Sequence, residues 1–240
     1  MNSIILLEEK IMKHNEIKQE ILYKIGSPLD YPIVYVIKGK NGDLLIDTAH
    51  VGSSSAITKW IKRNNFNIKW ILFTHGHFDH TDNAKTFKAL YGAKIIMHKK
   101  DYNLYLGIDK RPIYPSSKKY SLLARHCNKI LSKHKKKICS IDYLIDDNDS
   151  DFLRKLGFDA DIIMLPGHTD GSIGILQDDI LYAGDACSAV KGVYYTQMIG
   201  INIEKLLESN KKILGINPRI ICPGHGRLIK NFRNQKKNVE

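Results

Sequence analysis

The chain has 240 residues, of which 43% are apolar and 9% aromatic, enough for a sizeable core and too many for a disordered or fibrous chain. Lysine and arginine outnumber aspartate and glutamate by 37 to 25, a net charge of +12 that suits an anionic partner without naming one. No apolar run approaches the ~18 residues of a membrane span. The N-terminal Ile4-Ile5-Leu6-Leu7 meets Glu8 and Glu9 too soon to form a signal-peptide core. Cys127, Cys139, Cys187 and Cys222 lie far apart with no Cys-x-x-Cys spacing. That disfavours a disulfide framework or a cysteine zinc cluster. A cytoplasmic chain with reduced thiols and no membrane contact is the expectation.

In chain order, short β-branched runs alternate with helical patterns. Ile33 to Ile37 and Leu44 to Ile46 flank Asn41-Gly42, a hairpin-turn signal. Ser55 to Arg63 reads as a helix capped by the serine run before it. A strand over Ile68 to Thr74 follows, then a helix over Asp82 to Tyr91 stopped by Gly92, then a strand over Lys94 to Met97. Further strands are expected at Asp161 to Leu165, Ser172 to Leu176, Ile180 to Ala183 and Ile220 to Cys222. A helix spans Ile203 to Ile216, with Pro218 just beyond it. This order suits sheets covered by helices, an α+β arrangement, in one domain over residues 1–240.

One stretch breaks the pattern. From Lys99 to about Asp149 no strand is evident, and lysines crowd with Tyr102, Tyr105, Tyr114 and Tyr120. It reads as an inserted helical segment at about 99–149, and segments of that length are often functional. Its lysines, Lys135 to Lys137 included, read mainly as a solvated face, with a lid that recruits an anionic substrate as the functional alternative.

The chemistry concentrates in Thr74-His75-Gly76-His77-Phe78-Asp79-His80, directly after an apolar run. Three imidazoles and a carboxylate this close cannot all be satisfied in an apolar core. His75 and His77 face the same way on an extended chain, and Asp79 and His80 follow where the chain bends toward a helix. Imidazole and carboxylate are ligand types that zinc prefers and that iron and manganese accept. Three further strands run into tight turns holding one ligand-type residue beside glycine. They are Pro166-Gly167-His168-Thr169-Asp170-Gly171-Ser172, Gly184-Asp185 and Pro223-Gly224-His225-Gly226. His14, His50, His98, His126 and His134 fall outside this pattern and read as surface or packing residues.

The set His-x-His-x-Asp-His, Pro-Gly-His-Thr-x-Gly-Ser, Gly-Asp and Pro-Gly-His-Gly, in this order from about Gly26 to Ile229, resembles the metallo-β-lactamase-fold hydrolase superfamily. The glyoxalase II and N-acyl-homoserine lactonase branches are nearest in motif form. The resemblance implies an αββα sandwich of two mixed β-sheets flanked by helices, with a dinuclear site between the sheets. By motif position His75, His77 and His168 would hold one metal and Asp79, His80 and His225 the other, with Asp185 bridging. The ions would be two divalent metals, zinc first, with iron or manganese as alternatives. Asp47, closing Leu44-Leu45-Ile46-Asp47, matches a family position that fixes a ligand imidazole, and a plain strand-end cap is its other reading.

Two such cations would depress the pKa of a shared water and supply a hydroxide nucleophile for a small ester, thioester or lactone. Asp79, next to the leaving group, is the candidate proton carrier. At the position where the lactonase pattern has a tyrosine, this chain has Ser188; Tyr194 and Tyr195 are the candidates to replace it at the substrate, with ordinary core or exposed tyrosines as the expected reading. Cys187 could face the metals, but a small buried residue is the expected reading. The partner implied is a small molecule, anionic if the lysines recruit it. An RNA-processing phosphodiesterase is the alternative. It is disfavoured because the chain has no room for a large second domain and keeps the hydrolase form of the third motif. An iron-dependent persulfide dioxygenase is a further alternative.

Overall fold

Apolar side chains at consecutive positions, as in Val34-Tyr35-Val36-Ile37, demand partners on both faces of a sheet. The computed structural model, which describes residues 20–22, 32–134 and 138–235, supplies them. Ile4 to Leu7, His14, Gly26, Lys135 to Lys137 and the tail from residue 236 lie outside the described residues.

The described residues begin with strands β1 (Glu20–Leu22), β2 (Val34–Ile37) and β3 (Asp43–Ile46), which form an antiparallel meander. Helix α1 (Ser54–Arg63) leads to β4 (Ile68–Leu72), parallel to β3. A four-residue helix α2 (Phe78–Thr81) and α3 (Ala84–Tyr91) lead to β5 (Lys94–His98), parallel to β4. Gly92, at φ 62°, ends α3 in the left-handed conformation. Helix α4 (Tyr102–Tyr105), strand β6 (Tyr114–Pro115) and helix α5 (Ser121–Lys133) follow, and then β7 (Tyr143–Ile145).

Strand β7 pairs in parallel with β5 and completes a six-stranded sheet in the order β1-β2-β3-β4-β5-β7. The segment at about 99–149 therefore carries helices as expected but is not strandless. Of the three β7 residues only Ile145 points into the core, while Tyr143 and Leu144 stay exposed, so no apolar periodicity marked the strand.

After α6 (Phe152–Lys155), strands β8 (Asp161–Met164), β9 (Ile173–Gln177) and β10 (Ile180–Gly184) start the second sheet. A ribbon of β11 (Cys187–Val190) and β12 (Val193–Thr196) follows, and β13 (Ile199–Gly200) pairs with β6. Helix α7 (Ile203–Ile216), β14 (Ile220–Pro223), β15 (Ile229–Lys230) and α8 (Phe232–Gln235) end the described chain. The second sheet runs β15-β14-β10-β9-β8 and mixes parallel and antiparallel pairs, as the first does.

The cores define four layers. Tyr35, Ile37, Leu44, Ile46 and Ile96 of the first sheet meet Ile162, Ile175, Tyr182 and Ile220 of the second. Behind the first sheet, Val36, Leu45, Ile71 and Ile95 pack on Ile57, Trp60 and Phe87 of α1 and α3. Behind the second, Leu181 and Ile221 pack on Ile213 of α7. This is the αββα sandwich. Among the described residues no helix is long and apolar enough to cross a membrane.

The serine run does not cap α1. A 3-10 turn, Val51–Ser53, precedes the helix, and His50 Nδ1 accepts from Gly52 N at 3.2 Å. Ser53 already has helical angles and makes no side-chain cap, because its hydroxyl is not aimed at the free amides. Helix α7 is capped by Asn202, whose side chain accepts from Lys205 N at 3.0 Å, and ended by left-handed Asn217.

Candidate metal centre

The turns after β3, β4, β8, β10 and β14 bring Asp47, His75 to His80, His168, Asp185 and His225 together at one end of the two sheets. His75 and His77 lie on the extended turn after β4, and Asp79 and His80 on α2. Among the described residues the ligand-type atoms fall into three overlapping groups: His75, His77 and His168; His75, His80 and Asp185; and Asp79, His80 and His225. Within each group the atoms lie within 4.8 Å of one another.

Three of the rings, those of His168, His80 and His75, have one nitrogen committed outside the cluster, which leaves the other to face it. His168 Nδ1 donates to the Ile199 carbonyl at 3.0 Å, which turns its Nε2 toward His77 Nδ1, also at 3.0 Å. His80 Nδ1 donates to Asp47 Oδ2 at 2.8 Å, and its Nε2 lies 3.2 Å from His225 Nε2. Thr74 Oγ1 donates to Asp47 Oδ2 at 2.8 Å and accepts from His75 Nδ1 at 3.2 Å. His75 Nε2 is then buried without a hydrogen-bond partner, as is Asp185 Oδ1. The Asp185 carboxylate reaches both sides, 3.4 Å from His168 Nε2, 3.6 Å from His80 Nε2 and 3.5 Å from His225 Nε2.

Buried imidazole lone pairs and an unpartnered carboxylate oxygen would be costly in a closed core. Facing a common centre, they fit divalent cations with nitrogen and oxygen ligands. Asp47 stands between the strand end and two of these rings. It closes β3, where its left-handed backbone at φ 60° is one that aspartate tolerates, and it orients His80 directly and His75 through Thr74. Gly224 is required by proximity, since a Cβ there would lie 2.2 Å from Asp185 Oδ1 and 2.9 Å from His80 Cε1.

The electrostatics follow from this crowding. Burial opposes a charge on His80, but Asp47, Asp185 and Asp79 outweigh it and push its pKa up to about 10. Burial, aided by the neighbouring imidazoles, drives His75 well below the ordinary histidine range. Burial would raise Asp79, yet His80 and His225 hold its carboxyl far below the usual carboxylate range. A cation at His80 Nε2 must displace a proton at any pH below about 10, so loading releases protons. Metal affinity is expected to rise with pH, by roughly tenfold per unit for one proton displaced. Competition titrations against a chromophoric chelator check this, and an affinity flat across neutral pH contradicts it.

Sequence reasoning missed Asp101. Its buried carboxylate accepts from Gly76 N (2.7 Å) and Thr169 Oγ1 (2.7 Å) on one oxygen and from Gly171 N (2.7 Å) on the other. It thus clamps the His75–His77 turn to the His168 turn. Burial raises its pKa, and the three hydrogen bonds oppose that rise. The signal was its place just after β5, a parallel strand beside β4 that opens at the same end. It lay hidden because Lys99-Lys100-Asp101 resembles a solvated loop.

Tyr194 is not at the site. It is buried against Phe232 with its hydroxyl bonded to Asn210, because alternate residues of β12 face opposite ways and Tyr194 takes the core side. Tyr195 takes the other face, opposite Ser188, and stays exposed. Ser188 Oγ donates to Gln197 Oε1 at 2.6 Å, and Gln197 Nε2 donates to the Asp185 carbonyl at 2.8 Å. Cys187 is buried, which pushes its thiol pKa up. Of the remaining histidines, His98 ends β5 beside Asp147, and His134 stacks on Phe78 with ring centroids 3.9 Å apart.

Comparison with known proteins agrees with this arrangement. The chain is 27% identical over 216 residues to a protein named probable metallo-hydrolase YflN of Bacillus subtilis, covering 80% of this chain and 78% of that one. It is 27% identical over 196 residues to hydroxyacylglutathione hydrolase GloC of Haemophilus influenzae, covering 78% and 82%. Among solved structures, the B3 metallo-beta-lactamase BLEG-1 superposes with a TM-score of 0.62 at 22% identity, covering 86% of this chain and 93% of that one. TTHA1623, solved in a di-iron-bound form, gives 0.63 at 20% identity, covering 88% and 94%. Residues 29–225, which contain every turn of the metal centre, match the family description "Metallo-beta-lactamase superfamily", and the chain belongs to that superfamily.

Proposed function

We propose that the protein is a metal-dependent hydrolase that cleaves a small ester, thioester or lactone at a dinuclear centre. The observation that carries this reading is the overlap of the ligand groups, with Asp185 within 3.6 Å of imidazoles on both sides. His75, His77 and His168 would hold one divalent ion and Asp79, His80 and His225 the other, with zinc first and iron or manganese as alternatives. When bound, such ions supply Lewis acidity and an activated water at neutral pH.

The chain's own residues do the rest. Asp47 fixes the tautomers of His80 and, through Thr74, of His75. The Ile199 carbonyl fixes His168. Asp79 is partly exposed, with its Oδ2 3.3 Å from His225 Nε2, and is the candidate to relay a proton to a departing group, which its low pKa lets it hold only transiently. The name hydroxyacylglutathione hydrolase among the relatives supports a small acyl substrate.

The test has two parts. Metal per chain is measured on the purified protein, and thioesters, lactones, aryl esters and phosphodiesters are screened. Two equivalents of metal and chelator-sensitive acyl hydrolysis are expected; one equivalent or less, with only phosphodiester cleavage, removes the reading. Asp79→Asn is expected to cut turnover by about 10²–10³-fold while lowering metal content far less. An unchanged rate rules out its proton role.

A further inference from the structure

Between Lys110 and His134 the sequence has seven lysines and arginines and no aspartate or glutamate. Much of the chain's excess positive charge therefore sits on α5 and the turn before it. Arg111 is engaged by Asp109 and Asp170, and Lys119 lies over the Tyr120 ring. Lys118, Arg125, Lys129 and Lys133 are exposed, with no acidic partner among the described residues.

The same helix leaves large aliphatic side chains in solvent. Leu122 is 74% exposed, Leu123 39% and Ile130 42%. At 100° per residue these three share one flank of α5, and Arg125 and Lys129 occupy the next. The inner face is already taken, with Ala124, Cys127 and Leu131 packed around Ile113 and Ile199.

A face that offers aliphatic side chains and unpaired cations together matches a boundary that is both apolar and anionic. We propose that α5 docks the protein on an anionic lipid bilayer. Leu122, Leu123 and Ile130 would enter the headgroup–acyl boundary while the lysines and arginines reach the phosphates. A polynucleotide fits less well, because the exposed flank of α5 itself is aliphatic and carries no Phe, Tyr or Trp for bases to stack on, and nearby Tyr120 already lies under Lys119. A second copy fits less well too, since a two-fold contact would set the same cationic face against itself.

The placement gives the docking a purpose. The inner face of α5 rests on Ile199, whose carbonyl holds His168. His134, just past its C-terminus, stacks on Phe78, the residue between His77 and Asp79. Docking through α5 would thus set the metal centre beside the membrane. The absence of a spanning helix does not bear on this, because the helix lies on the surface.

Flotation of the full chain with phosphatidylcholine vesicles, with and without about 30% phosphatidylserine, at physiological salt is the test. Flotation with the anionic vesicles only is expected. It should fall at least about tenfold in Leu122→Ser/Ile130→Ser and, separately, in Arg125→Glu/Lys129→Glu, with melting temperature and metal content unchanged. Absence of wild-type flotation overturns the proposal, as does flotation that survives either double variant. Retention on a single-stranded RNA homopolymer without vesicle binding overturns it in favour of nucleic acid.

Discussion

Asp101→Ala is expected to lower the melting temperature by roughly 10 °C and to empty one half of the metal centre. The carboxylate satisfies three buried donors, Gly76 N, Thr169 Oγ1 and Gly171 N, each at 2.7 Å. Orphaning such donors costs on the order of 4 kcal/mol in all, at about 1–3 kcal/mol each before relaxation. In a domain of this size each kcal/mol moves the midpoint by roughly 2–4 °C. The alanine also releases the His75–His77 turn from the His168 turn, while the Asp79, His80 and His225 group keeps its own support from Asp47. Metal content should therefore fall toward one equivalent rather than zero. Asp101→Asn, which keeps the volume but turns an amide donor toward amide donors, should behave similarly. Wild-type melting and full metal content in both variants would falsify the clamp. Calorimetry and elemental analysis read the two effects separately.

Asp185→Asn is expected to reduce kcat/KM on the best acyl substrate by about a thousandfold, the equivalent of roughly 4 kcal/mol of transition-state stabilisation. Its carboxylate lies within 3.6 Å of one imidazole nitrogen on the His168 side and two on the other, and one of its oxygens has no protein partner. An amide keeps the shape but removes the negative charge that two cations would share. It also removes a counter-charge that helps raise the pKa of His80 and of His225. A rate within about tenfold of wild type, at full metal content, would show that Asp185 does not lie between two ions.

The two sheets and the metal centre were unevenly legible. Strands β2 to β5, β8 to β10 and β14 announced themselves because their apolar runs are largely buried and Gly, Pro or Asn punctuates several of their ends. The cluster at His75 to His80 was legible because so many ligand-type residues in one turn have no structural alternative. Strand β7 was not, since a three-residue edge strand with one inward side chain has no period to detect. Asp101 was not, because its partners are two glycine amides and a threonine hydroxyl brought in by other turns. Tyr194 and Tyr195 were legible only as alternatives, because nearness in sequence to Asp185 does not say which face of a ribbon a side chain takes.

The pairing of β6 with β13 bears on any attempt to graft a different segment onto this scaffold. Pro115 and Tyr114 lie opposite Ile199 and Gly200, Ser116 N donates to the Met198 carbonyl at 2.8 Å, and the next carbonyl along holds His168. Exchanging residues between Gly107 and Ile138 would spare Asp101 and β7 but withdraw the strut behind an imidazole of the candidate metal centre. The alignment of His168 thus depends on a segment more than fifty residues earlier in the chain. A transplanted segment must bring its own two-residue strand in register to keep that imidazole aligned.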